Sequence, residues 1–324
     1  MIITRTPYRI SLFGGGTDYP KWYSNNEGSV LSFAINKHSY INLRELPPFF
    51  DHRYRVAYSK VEVANNINEI IHPAVRAGFI KYASNLNLEL HHHGDLPARS
   101  GIGSSSAFAV GLIKALSSLN NSELSKVELA SMAIDLEQND LNEIVGSQDQ
   151  IACAFGGLNL IKFGIGNNWS VHRIKISDNY KSEIENRIIL LYSGINRLSS
   201  DISKTLIENL DLKSNLLKAT HRLAMDAYEI IKHEKDLSLI GPMLIESWNI
   251  KKEINSASVT PHLEDFFTKG LKLGAKGGKI LGAGGGGFFL FWIDPDLREH
   301  FIKKMSPAIV VPIRIAELGS TRIL

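Results

Sequence analysis

One cysteine, Cys153, stands among 324 residues. No disulfide within the chain is possible, and a structural zinc site built on thiolates is not expected. Cys153 lies in the apolar stretch 151–155 and reads as core filler rather than as a nucleophile. Neither sign of charge dominates: 36 Lys and Arg stand against 33 Asp and Glu, a net charge of +3 with the basic residues spread out. That balance speaks against nucleic acid or an anionic membrane surface as the partner. No stretch approaches the roughly 18–20 apolar residues that span a bilayer. Met1-Ile2-Ile3-Thr4-Arg5 does not open like a secretory signal, so a cytoplasmic, soluble protein is expected. The Walker string G-x-x-x-x-G-K-[ST] is absent as well. What remains, 44% hydrophobic and 21% charged, suits a well-cored globular chain of one large or two moderate domains.

Apolar periodicity predicts short strands at 30–34, 40–43 and 54–58, a helical stretch over 62–85 and a strand at 86–93. A buried helix is expected over 107–119. Ser125-Lys126-Val127-Glu128 has the form of a capping box opening the next helix. After a turn at Gly146-Ser147 come a short helix, a strand at 158–163, a polar loop at 167–170 and a strand at 188–192. Over 213–235 an amphipathic helix gathers Leu216, Leu217, Thr220, Leu223, Ala224 and Ala227 on one face. A strand at 288–293, a helix near 297–305 and a strand at 308–315 complete the pattern. The class is α+β, with two domains drawn at 1–175 and 176–324 and the boundary lying between 163 and 187.

Three glycine-rich segments carry the chemistry. The first, Pro7-Tyr8-Arg9-Ile10-Ser11-Leu12-Phe13-Gly14-Gly15-Gly16-Thr17-Asp18-Tyr19-Pro20, sets a flexible turn between two opposite charges. The second, Leu96-Pro97-Ala98-Arg99-Ser100-Gly101-Ile102-Gly103-Ser104-Ser105-Ser106-Ala107, lies between a strand and a helix, where free backbone N–H groups and the helix dipole make an anion site. The third, Lys279-Ile280-Leu281-Gly282-Ala283-Gly284-Gly285-Gly286-Gly287, suits backbone that must lie against another loop or a ligand.

In this order and at these separations the three segments resemble the motifs of the GHMP kinases, over essentially the whole chain. The resemblance implies an N-terminal α/β domain with a left-handed βαβ crossover, a C-terminal ferredoxin-like domain and an active site between them. It implies ATP and Mg²⁺ as cofactors, with Pro97, Arg99, Gly101, Ile102, Gly103, Ser104, Ser105 and Ser106 around the triphosphate. Ser105 and Glu137, the latter twelve residues before Asp149, are the implied metal ligands. Asp149 is the implied base, and Arg9 would pair with it and stabilise charge on the attacking oxygen and the phosphate. Gly14, Gly15, Gly16, Thr17 and Asp18, with Gly284 and Gly285, would meet the substrate.

Within the family, the string Gly14-Gly15-Gly16-Thr17-Asp18-Tyr19, followed by Trp22-Tyr23 and Leu46-Pro47-Pro48-Phe49-Phe50, looks like the kinases of D-glycero-D-manno-heptose 7-phosphate. They phosphorylate C1 on the route to nucleotide-activated heptose for surface polysaccharide. The implied partner is a small phosphorylated sugar. Arg99, Arg53, His52 and Lys60 are candidates for its phosphate. The triplet His91–His93 alternates across a strand, so a structural role is expected for it. A kinase of another sugar, such as fucose or galactose, a non-catalytic sensor of the same fold, and an RNA-binding protein are the competing readings.

Overall fold

A computed structural model describes residues 1–166, 168–194 and 213–324. Its first sheet is built around two long strands, β1 (Ile2–Phe13) and β2 (Gly28–Glu45), paired antiparallel. β3 (Tyr54–Ala57), β4 (Val61–Ala64) and β5 (Leu88–Gly94) extend it beyond β2, in the order β2-β5-β3-β4. β3 and β5 run parallel, while β6 (Leu158–Gly164) and β7 (Asn168–Arg173) add an antiparallel branch on β2.

The expected strands at 30–34 and 40–43 are one element. β2 pairs with β6 through 28–33 and with β5 through 39–45, and the polar run Asn36-Lys37-His38 marks the change of partner. Two other expectations also need correction. The start of the stretch expected to be helical over 62–85 is β4, whose Glu62 turns inward to accept N–H groups of Ile71 and His72. Of the polar stretch expected as a loop, residue 167 lies outside the described residues and 168–170 belong to the edge strand β7, which among the described residues pairs only with β6.

The helices are α1 (Pro20–Tyr23), α2 (Pro73–Ala83), α3 (Ser104–Leu119), α4 (Lys126–Asp135), α5 (Gln148–Phe155), α6 (Asp178–Arg187), α7 (Ser214–Lys232), α8 (Ile240–Ile254), α9 (Pro261–Lys272) and α10 (Arg298–Met305). α3 lies against β1 and β2. It buries Phe108, Val110, Leu112, Ile113 and Leu116, with Leu112 and Leu116 against Gly78 of α2, a contribution on the order of 10 kcal/mol. The capping box of α4 forms as its sequence predicts, with Ser125 Oγ accepting from Glu128 N and the Glu128 carboxylate from Ser125 N.

The second sheet is antiparallel throughout, in the order β11 (Ile309–Val311), β8 (Ile188–Tyr192), β10 (Phe288–Trp292), β9 (Gly277–Ile280). Phe289 and Phe291 of β10 pack with Trp248 of α8, Phe267 of α9 and Phe301 of α10 in its own apolar cluster. The chain then returns to the first sheet. Ala316 N donates to Ala34 O, Ser320 N donates to Cys153 O, and β12 (Thr321–Arg322) pairs with β1. No helix among the described residues is long and apolar enough to cross a membrane.

Candidate active site

The three glycine segments meet around one cavity of about 640 Å³, a size suited to small-molecule ligands. Their glycines are fitted to each other's backbones. A Cβ on Gly101, which has φ +84°, would stand 2.5 Å from Leu281 O, and one on Gly282 would stand 2.5 Å from the Gly101 Cα. Ser100 O accepts from Phe288 N. The second and third segments are therefore interlocked, and the positions that require glycine are those of closest approach.

At the junction of the first and second segments lies the Arg9–Asp149 pair. Arg9, on β1, donates from Nε to Asp149 Oδ1 (2.7 Å) and from Nη2 to Oδ2 (2.5 Å), the bidentate fork. Its Nη1 donates to Gly101 O at 2.8 Å, and its backbone N–H to Ile102 O. One side chain thus ties the strand, the phosphate-type loop and the first turn of α5 together. Arg9 is buried, while Asp149 keeps a face on the cavity. Each carboxylate oxygen retains a lone pair beyond those Arg9 uses.

Asp18 lies in the adjoining wall, buried, and accepts from Gly16 N (2.9 Å) and Gln148 N (3.3 Å). Burial, and then the charge of Asp149, raise its carboxyl to about 6. Gly146 is required beside it, since a Cβ there would fall 1.9 Å from Asp18 Oδ2. Ser11 Oγ and Gln148 Oε1 line the same region, and among the described residues neither has a hydrogen-bond partner.

α3 opens on the cavity with Gly103 as its N-cap, a residue with φ +73° and no side chain to cap with. The first N–H groups of a helix have no intrahelical acceptor, so this end is suited to anions. Gly101, Gly103, Ser104, Ser105, Ser106 and Arg99 all line the cavity, as do Gly15, Gly16 and Gly284. Six expected site residues do not, Glu137 among them. Pro97 serves through its carbonyl, which accepts from Ser100 Oγ, and Ile102 is fully buried. Gly14 presses on Ser29 O, Thr17 Oγ1 bonds Gly14 O and Ser29 O, and Gly285 N donates to Ser258 O. These residues shape the loops, and of them only Pro97 is exposed.

Glu137 closes α4 in a π-helical turn, Leu136–Asp140, that directs it inward. Its Oε2 accepts from Ser106 Oγ at 2.7 Å and from Gln150 Nε2 at 2.5 Å, and burial drives the carboxyl up to about 8. The serine that touches Glu137 is thus Ser106, while the expected ligand Ser105 is exposed on the cavity side. Carboxylate and hydroxyl oxygens alone make up this set, and a buried carboxyl with only neutral partners has room for positive charge. The donor chemistry fits a hard divalent cation.

The other candidates fall elsewhere. Arg53 bonds Asn87, His52 and Lys60 lie outside the cavity wall, and only Arg99 of the four reaches it. His91 pairs with Glu89 and His92 with Ser39 Oγ, so the triplet serves the sheet. Two cavity cations escaped the sequence reading, Lys251 on α8 and Lys279 on β9. Lys251 Nζ donates to Gly282 O and Ile280 O, and Lys279 Nζ to Leu12 O at 3.2 Å. Burial lowers both ammonium groups, that of Lys279 to about 8. A lysine's burial depends on long-range packing, and no local pattern announces it.

Comparison with known proteins agrees with this geometry. The GHMP kinase N-terminal domain matches residues 65–157 and the GHMP kinase C-terminal domain residues 226–308. D-glycero-alpha-D-manno-heptose 7-phosphate kinase of Campylobacter jejuni is 32% identical over 318 residues, covering 94% of this chain and 93% of its own. Among solved structures, a D-glycero-D-manno-heptose 1-phosphate kinase from Bacteroides thetaiotaomicron superposes with a TM-score of 0.80 at 22% identity, covering 100% of this chain and 99% of its own. Lactococcus lactis galactokinase complexed with galactose gives 0.77 at 16% identity, covering 99% and 94%. The two structures share the fold, and the similarity to the Campylobacter relative runs over nearly the whole of both chains. With its three interlocked glycine segments and both domain matches, the chain belongs to the GHMP kinase family.

Proposed function

We propose that this enzyme uses ATP to phosphorylate the anomeric C1 hydroxyl of D-glycero-D-manno-heptose 7-phosphate, giving the 1,7-bisphosphate. The observation that carries the reading is the Arg9–Asp149 fork at the meeting point of the phosphate-type loop and the Asp18 wall. The full-length similarity to a heptose 7-phosphate kinase supports the choice of sugar.

In this reading the uncapped end of α3 and the serines 104–106 hold the nucleotide phosphates through N–H and hydroxyl groups. Asp18, with Ser11 and Gln148 beside it, accepts and donates to sugar hydroxyls and fixes the ring. The attacking hydroxyl gives its proton to a carboxylate oxygen of Asp149 as its O–P bond forms and the bond to the ADP oxygen breaks. Arg9 keeps Asp149 in place and offsets negative charge as it builds on the attacking oxygen. Glu137, Ser105 and Ser106 would hold Mg²⁺, which supplies charge neutralisation for the phosphates.

The test is an ADP-release assay with Mg-ATP against heptose 7-phosphate, heptose 1-phosphate, mannose, fucose and galactose. Selective turnover of heptose 7-phosphate, with phosphate appearing on C1, is expected. Preference for heptose 1-phosphate or for an unphosphorylated sugar would overturn the substrate assignment.

A further inference from the structure

Lys279 is 7% exposed and sits where β9 runs into the third glycine segment. Its single hydrogen bond among the described residues, to Leu12 O, uses one of the three donors of an ammonium group. No carboxylate of the described residues lies within ion-pair reach of it, although the cavity wall carries Asp18, Glu143 and Asp149. Asp149 is bound in both oxygens by Arg9, and Asp18 by backbone N–H groups. The charge that bears on Lys279 is itself positive, that of Arg9, and Lys279 in turn disfavours the charge of Lys251. A buried ammonium beside two other cations is unfavourable unless a ligand brings negative charge to it.

We propose that Lys279 is a phosphate-binding residue: its ammonium group, fixed by β9 in the wall of the cavity that Arg9 also lines, binds an oxygen of a phosphoryl group carried by one of the two reactants. The inference rests on the kinase reading but not on the identity of the sugar. Lys251 has a different part, because two of its donors are spent on the Ile280 and Gly282 carbonyls and hold the glycine loop in shape. The ligand chemistry is that of a phosphate dianion. Both the terminal phosphate of ATP and the phosphate already on a sugar have it.

The experiment compares Lys279→Met and Lys279→Arg with the wild type in steady-state kinetics, thermal unfolding and calorimetric titration with inorganic tripolyphosphate. Lys279→Met is expected to lower kcat/KM by about 10²-fold, the scale of losing one preorganised charged donor. Its melting temperature should stay level or rise, because an uncompensated buried charge has been removed. Lys279→Arg should recover part of the activity. A rise in KM for the sugar phosphate alone assigns Lys279 to that phosphate. A fall in kcat or a rise in KM for ATP assigns it to the nucleotide. Activity of Lys279→Met within about threefold of the wild type, or matched losses of stability and activity in both variants, overturns the proposal. Tripolyphosphate binding reads the site without any sugar. Lys279-dependent binding in an enzyme that turns over no heptose phosphate would sink the substrate assignment and leave this inference standing. Binding indifferent to Lys279→Met, together with an unchanged KM for the sugar phosphate, would sink the inference.

Discussion

Replacing Asp149 by Asn changes one atom, yet the geometry makes the substitution expensive in two separate currencies. Arg9 presents two N–H donors to two carboxylate oxygens. An Asn side chain offers one acceptor and one NH₂, so one Arg9 N–H faces another donor and the buried guanidinium loses its counter-charge. Losing one charge-assisted bond and leaving a buried donor unpaired costs about 2–4 kcal/mol. For a chain of this length that is a fall in melting temperature of roughly 3–6 °C. Turnover should fall by about 10²–10⁴-fold, because the amide cannot take up the hydroxyl proton. Differential scanning fluorimetry and the ADP-release assay read the two effects independently. The double variant Arg9→Met with Asp149→Leu should melt above either single variant, since apolar replacement of a buried pair is often neutral or stabilising, while remaining inactive. A folded Asp149→Asn enzyme with kcat within about threefold of the wild type would remove Asp149 from proton transfer. An unchanged melting temperature in Asp149→Asn would refute the energetic argument for the fork.

Asp18 titrates at about 6 because of burial and the neighbouring Asp149, so an acidic limb centred near that pH is expected in kcat/KM. Asp18→Asn should lower activity and abolish the limb. The native carboxyl binds its proton more tightly than the unfolded chain, whose reference value is 3.8, so Asp18 lowers stability progressively as pH rises from there to about 6. In Asp18→Asn that slope should disappear from the melting temperatures measured across the window. Gly101→Ala forces a side chain into a φ of +84° and a contact of 2.5 Å with Leu281 O. A loss of about 2–4 kcal/mol is expected, with a raised KM for ATP, and wild-type stability would show that the two loops are not locked together.

The site was legible wherever chemistry is written into backbone requirements. Gly101, Gly103 and Gly282 sit at positive φ or at van der Waals contact with another loop, and such demands leave glycine in the sequence as a visible mark. Arg9 and Asp149 could be read because they flank those marks. The sequence reading chose Ser105, whereas Ser106 is the serine that meets Glu137, because the helical phase that turns one to Glu137 and the other to the cavity depends on where α3 begins. The division of β2 between β6 and β5 was hidden for a related reason. Polar residues at 36–38 look like a strand break when they mark a change of neighbours. β7 was missed because its apolar alternation is confined to Trp169 and Val171, set among polar residues on a strand exposed over much of its surface.

The return of the chain to β1 bears on how the protein is made. Thr4 and Arg5 pair with Arg322 and Thr321, and Ala34 and Cys153 receive their partners from Ala316 and Ser320. At translation speeds of about 5–20 residues per second, β1 waits on the order of tens of seconds for that neighbour. Through that interval its outer edge is an open template for foreign strands, the hazard that edge pairing creates. The first sheet therefore cannot be finished on the ribosome until residues 316–322 have been made.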